Sequence, residues 1–301
     1  MSDPGREDLS IRRWAIVHMA LCGVLWALYL VIARFLPRGH SIFEVLWWRY
    51  ALHVSLTLLV IGPLQGRALI RTNRPGIQLI RGLLMVVTSV SAVFAASGVS
   101  LDSVRALLWL APIIVIAVDR ALRGMPCSSL MWIAGALCWV GTLLILQPNF
   151  GHSFRAVFWA LLTAGSFAGY QLLTPNLRSD PPTTSVFYSG LITLVPMSAI
   201  LPWVWKPLTG QAMMVYLGMG ITGWLSLLFL DKALHAMEAG ALAVFGYLHI
   251  VAEVGIVSIL SGEPPTGLGA LGCTLILAGT VAAHRHLVFL EHTVRKTCGY
   301  H

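Results

Sequence analysis

The sequence predicts an all-α integral membrane protein: ten transmembrane helices arranged as two inverted five-helix repeats, with both termini in the cytoplasm. Three observations carry this. First, 57% of the 301 residues are hydrophobic and only 11% are charged, with a mean hydropathy of +0.80, whereas a soluble domain carries about 25% charged residues. Second, the apolar residues fall in ten runs near the roughly 20-residue length that spans a bilayer. Third, one part of the chain resembles another at a constant offset.

The runs lie at 14–36, 42–62, 77–97, 103–121, 128–147, 154–173, 184–205, 212–230, 239–260 and 267–288. Their length favours helices, because barrel strands would show about ten residues of dyad alternation. A helix also satisfies its own backbone in lipid. The first run follows thirteen mostly polar residues and is too long for a signal-peptide core, so it reads as the first membrane helix.

The formal charge of +8 reports topology here and not nucleic-acid binding. With the amino terminus inside, fourteen of the 20 Lys and Arg fall on the cytoplasmic side, five fall outside, and Arg49 lies within a span.

The repeat appears as an offset of 138 residues pairing Leu110 with Leu248, Gly124 with Gly262, Pro126 with Pro264, Gly141 with Gly279, Gly82 with Gly220 and Ala95 with Ala233. Five spans per copy is an odd number, so the second copy enters the membrane upside down. The expected organisation is a cytoplasmic tail (1–13), a first half (14–150), a second half (151–288) and a cytoplasmic tail (289–301). Inverted halves of this kind bind solute near the midplane and alternate access to it.

Several ionisable residues lie inside the runs, where a central charge costs at least about 2.5–3.5 kcal/mol. Arg49 and His53 share a helix face in the second span, and His249 and Glu253 share one in the ninth. Counted from the outer face, Arg49 and Glu253 are both about seven residues deep, roughly 10 Å. They are expected partners, either as a structural tether or as groups lining a polar cavity. Trp26 and Tyr170 sit on the opening helix of each half. Trp109 and Tyr247 occupy equivalent repeat positions, just before Pro112 and Ile250. All four aromatics are candidates to line the cavity, and Pro112 is expected to kink the fourth span. His18 is a lone histidine that either hydrogen-bonds locally or faces the cavity. Arg81, Asp119, Asp231 and Arg285 lie near cytoplasmic ends, where snorkelling is the ordinary explanation.

Cys22, Cys127, Cys138, Cys273 and Cys298 make no CxxC pair and no zinc spacing. His284, His286 and His292 read as a solvated basic tail and not as a metal site. No cofactor is expected, and there is no phosphate-binding G-x-x-x-x-G-K-[ST] loop. The partners expected are a small metabolite and the lipid bilayer, with the chain a monomer or homodimer.

With ten spans, two halves and "LLWLAPIIVIAV" in the fourth span, the chain resembles the drug/metabolite transporter superfamily in its EamA branch. That family carries a Pro in the fourth and ninth helices, followed by a Gly-Glu pair. This chain keeps Pro112 but has Met125 at the first Glu position. It keeps Gly262-Glu263 but has Ile250 at the second Pro position. The segment 44–84 is similar to members that move S-adenosylmethionine, riboflavin or amino acids. The resemblance implies a non-enzymatic secondary transporter in a bacterial inner membrane. An integral-membrane lipid-modifying enzyme is the alternative, but Glu44 and Asp102 are isolated acids and make no reactive cluster. A channel would show a polar ring or filter.

Overall fold

The computed structural model describes residues 4–123, 129–149, 151 and 153–297, with side chains from Ser10 to Leu122, Ser129 to Gln147 and onward to Phe289 outside the loop positions 150 and 152. Gly124, Met125 and Pro126, with Cys127, Cys298 and the His292 side chain, lie outside the described residues.

All ten predicted runs are helical. They are α1 (Ser10–Ala33), α2 (Ile42–Leu69), α3 (Pro75–Ala96), α4 (Leu101–Leu122), α5 (Ser129–Leu146), α6 (Phe154–Leu177), α7 (Pro182–Val204), α8 (Gly210–Ala236), α9 (Ala239–Ser261) and α10 (Gly267–Phe289). The first helix begins earlier than the apolar run, at Pro4. No strand occurs among the described residues.

Packing follows a pattern. α1 lies on α8 and α3 on α6; α2 lies on α8 and α3 on α7; α2 meets α7, and α5 meets α10. At the α5–α10 crossing backbone meets backbone. A Cβ on Gly141 would sit 2.6 Å from the Gly272 carbonyl oxygen, and one on Gly272 would sit 2.6 Å from the Gly141 oxygen. Small residues let backbones touch where lipid supplies no hydrophobic drive between helices. Gly141→Leu should therefore push the two helices apart. We expect a loss of roughly 1–3 kcal/mol or more, as for other overpacked sites, read as a lower melting temperature in detergent.

Both central helices are broken. In α4 the helix stops at Leu108 and restarts at Ala111, one residue before Pro112. The carbonyls released there are taken by side chains. Trp139 Nε1 donates to the Ala106 oxygen at 3.1 Å, and the Tyr247 hydroxyl donates to the Trp109 oxygen at 2.6 Å. In α9 the break is a 3-10 stretch, Ala243–Tyr247, formed without any proline. The C-terminus of α9 is set by Gly262 at φ 71, the left-handed geometry that a helix-ending glycine supplies. The Gly-Glu pair thus has a backbone role here, and Glu263 is exposed.

At the end where α1 enters, the loops after α2 and α6 are fastened together. The Asp180 carboxylate accepts from the Thr72 hydroxyl, from the Asn73 backbone and side-chain nitrogens at 2.9 Å each, and from Gln78 Nε2 at 3.4 Å. Burial alone would raise its pKa, but these hydrogen bonds outweigh burial and hold the carboxyl below its ordinary value. A depressed folded-state pKa contributes stability above the unfolded pKa, and that stability is lost as pH falls through the folded one. Melting temperature should fall between about pH 5 and pH 3, and the fall should be shallower in Asp180→Asn.

Candidate functional site

A cavity of about 200 Å³ lies among α1, α2, α3, α4, α6, α8 and α9. A water needs roughly 10–15 Å³ on this measure, so the space holds on the order of ten water-sized positions. Ile42 and Leu101 line its mouth and are 45% and 60% exposed. They lie at the end of the bundle opposite the amino terminus, the far end. Its floor is Met85, Gln171 and Leu230.

Of the predicted residues, Trp26, Arg49, Trp109, Pro112 and His249 line this cavity. Arg49 is half-buried. Its guanidinium carbon lies 4.8 Å from the Trp26 ring centre and 5.2 Å from those of Tyr29 and Tyr50. Trp26 and Tyr29 stack at 4.8 Å. Such cation–π contacts contribute about 0.5–2 kcal/mol, yet they leave the positive charge without a counter-ion. His249 stacks on Trp109 at 3.9 Å. Its Nδ1 lies 2.9 Å from the Gly246 carbonyl. A carbonyl can only accept, so Nδ1 carries the hydrogen and Nε2 is left as an acceptor, buried and unpartnered.

The predicted Arg49–Glu253 pair does not form. Glu253 instead accepts from Arg34 at 2.9 Å and from Arg105 on its other oxygen. Equal depth counted along two helices does not make them neighbours. α2 packs on α7 and α8, whereas α9 packs on α1, α4 and α10, so the two helices are not neighbours. Three further candidates sit away from the cavity lining. His53 is fully buried, with Nε2 3.2 Å from the Val186 carbonyl. Tyr247 spans the α4 break. Tyr170 belongs to a buried ion pair beneath the floor. His18 is also off the lining and stacks on Phe229 at 5.5 Å.

That ion pair is the feature sequence reasoning missed. Arg81 and Asp231 are fully buried and bonded to each other, not snorkelling at an end. Arg81 also donates to Thr174 Oγ1 at 2.9 Å, to the Ser185 carbonyl and Ser189 Oγ at 3.0 Å each, and to the Tyr170 hydroxyl. Its guanidinium lies 4.0 Å from the Tyr170 ring centre. Asp119 is likewise fully buried, accepting from the Gly240 backbone at 2.8 Å. His286 is 8% exposed and so is not part of a solvated tail, whereas Arg285 is exposed as expected. Glu44 is fully buried, 3.0 Å from His40 Nδ1. No cluster of three metal-ligating side chains occurs among the described residues.

A bundle of ten spans around a closed-floored cavity is the architecture of a multi-pass membrane transporter. Residues 13–147 match the EamA-like transporter family, and relatives named as transporters agree with the resemblance to the drug/metabolite transporter superfamily. The chain is a transporter of the bacterial inner membrane and not an enzyme. It is 22% identical to the S-adenosylmethionine uptake transporter of Rickettsia felis, over 83% of this chain and 85% of that one. It is 25% identical to the riboflavin transporter of Rhizobium johnstonii (89% and 90% covered) and to the pseudopaline exporter of Pseudomonas aeruginosa (80% and 86%). A crystal structure covering 89% of this chain and 96% of its own superposes with a TM-score of 0.79 at 15% identity, which shows a shared fold.

Proposed function

We propose that the chain is a secondary transporter that carries a small polar metabolite, such as an amino acid, S-adenosylmethionine or a riboflavin-like compound, by alternating access. The observation that carries this reading is the cavity itself. It reaches the far end between Ile42 and Leu101, and it is shut at the other end by the Arg81–Asp231 network and the Asp180 loop clasp. Such a closure must exchange for one at the far end in a carrier, whereas a channel would need both ends open.

The halves are residues 14–150 and 151–288, read as inverted repeats with both termini cytoplasmic. The packing supports this: exchanging each helix for the one five places on maps α1–α8 onto α6–α3 and α2–α8 onto α7–α3. Residues one repeat apart also touch each other, as Tyr247 does Trp109 and Cys138 does the Ile276 carbonyl. Contacts between equivalents are what a pseudo-two-fold axis produces. Trp26, Arg49, Trp109 and His249 are the substrate-facing residues in this reading. Relatives named for both uptake and export are compatible with either direction.

The test is counterflow in proteoliposomes, with S-adenosylmethionine, riboflavin, amino acids, nucleosides, organic cations and aromatic monocarboxylates as probes. Saturable exchange accelerated by the same compound on the far side is expected for at least one. Flux that rises linearly with concentration, or none with any class from folded protein, would remove the carrier reading.

A further inference from the structure

We infer that the cavity selects solutes bearing a single carboxylate on an apolar, planar body, with Arg49 as the anion-binding residue and Gln171 as the hydrogen-bonding contact on the floor. This rests on the transporter reading and narrows it: riboflavin, which has no carboxylate, and S-adenosylmethionine, a net cation, fall outside the class.

Among the described residues that line the cavity, Arg49 is the one formal charge of fixed sign, and no Asp, Glu or Lys is present. The nearby membrane carboxylates are already committed: Asp231 to Arg81, and Glu253 to Arg34 and Arg105. Arg49 makes no ion pair with any described residue, and its Nε is buried without an acceptor. An uncompensated guanidinium in an apolar space is costly, and an incoming anion removes that cost. A guanidinium presents a planar fork that fits a carboxylate by two parallel hydrogen bonds.

The remaining wall fixes the rest of the solute. Trp26, Trp109 and Phe167 offer aromatic surface on three helices, and the His249 ring backs Trp109. Gln171 is 3% exposed yet lines the cavity. Its amide makes no hydrogen bond to any described residue, so it is free to donate to and accept from a solute. One cation balances one carboxylate. It does not balance a phosphate monoester, which carries about −1.5 to −2 charges near neutrality. A net cation would meet Arg49 with no lining carboxylate to hold it.

Two measurements test this. The first is binding of matched probes to purified protein: indole-3-acetate, indole-3-acetamide, phenyl phosphate and tetraphenylphosphonium. Acetate should bind about tenfold or more tighter than the amide, as one lost hydrogen bond to a charged group gives. That preference should vanish in Arg49→Gln and survive in part in Arg49→Lys. Tighter phenyl phosphate would overturn the monoanion assignment. Equal binding of acid and amide, or preferred binding of tetraphenylphosphonium, would overturn the site.

The second needs no bound solute. In a chain whose native cysteines are replaced by alanine, the lining position Ala92→Cys is reacted with sulfonatoethyl and trimethylammonioethyl methanethiosulfonates. Rates are normalised to free cysteine. The anionic-to-cationic ratio should fall about tenfold when Arg49→Gln is added, since a charge in a cleft with low-dielectric walls concentrates counter-ions by that order or more. A ratio unmoved by Arg49→Gln sinks the inference even if counterflow succeeds. Absent counterflow with an Arg49-dependent ratio sinks the carrier reading and leaves the anion site standing.

Discussion

Arg81→Leu should destabilise the protein by about 3–5 kcal/mol, the cost of breaking a buried ion pair by removing one partner. Asp231 would then be a fully buried carboxylate whose remaining bond is from the Tyr170 hydroxyl at 3.1 Å. The groups that Arg81 ties together come from three helices: Tyr170 and Thr174 of α6, Ser185 and Ser189 of α7, and Asp231 of α8. All three would lose their common donor. Asp231→Leu should cost a similar amount, because it strands the guanidinium. The double variant should be markedly more stable than either single one, since a buried pair replaced by apolar groups is often near neutral. Thermal unfolding in detergent reads this as a drop on the order of 10 °C for each single variant. If Arg81→Leu melted with the wild type, the network would not be the closure described, and the cavity floor would need another explanation.

The ten helices were legible because bilayer thickness imposes a length, and the sequence displays it ten times. Pairing between helices was not legible. Arg49 and Glu253 count to equal depth along their helices, but depth is a one-dimensional quantity and adjacency needs two more. The Arg81 case has the same root. Six residues into α3 and five residues before the end of α8 look like snorkelling distances on isolated helices. In the bundle both side chains point inward, and Tyr170 of α6, three helices after α3 and two before α8, completes the site. One signal was present: Arg81 and Asp231 are oppositely charged, at matching distances from the same end. The same logic that suggested Arg49 with Glu253 would have found them. What set the two cases apart was which helices pack together, a property of the whole chain. By contrast, the break in α4 was visible as Pro112, while its counterpart in α9 has no proline and could be anticipated only from the repeat.

The two ends of the bundle also differ in kind. At the amino-terminal end, fully buried groups are joined with Arg81 as hub, and the Asp180 clasp lies beyond them. At the far end the corresponding ties are fewer and wetter: Arg34 and Arg105 on Glu253, Trp47 on Ser198 at 2.9 Å, and Gln211 on the Phe35 carbonyl at 3.3 Å. The Arg34 side chain is 55% exposed. Screening by water makes such an exposed contact worth little in stability. It also makes the contact easy to break and remake, which suits a joint that moves.

Glu253→Gln should therefore reduce transport far more than it reduces folding. The substitution keeps the shape but removes the charge that holds two guanidiniums together beside the cavity mouth. Arg34 can rehydrate at little cost. Arg105 cannot do so as easily: its side chain is 10% exposed, and its other partner is Asp102 at 3.2 Å. The expected result is counterflow lowered at least about tenfold, equivalent to about 1.4 kcal/mol on the step that closes the far end. The melting temperature should fall by less than in Arg81→Leu. Adding Arg105→Gln removes the stranded charge and should restore part of the lost stability, a coupling that a double-mutant cycle measures directly. Adding Arg34→Gln instead should restore almost none, because that guanidinium was never cut off from water. Normal counterflow in Glu253→Gln would show that this joint is a static tether. Equal rescue by Arg34→Gln and Arg105→Gln would show that burial does not set the difference between them.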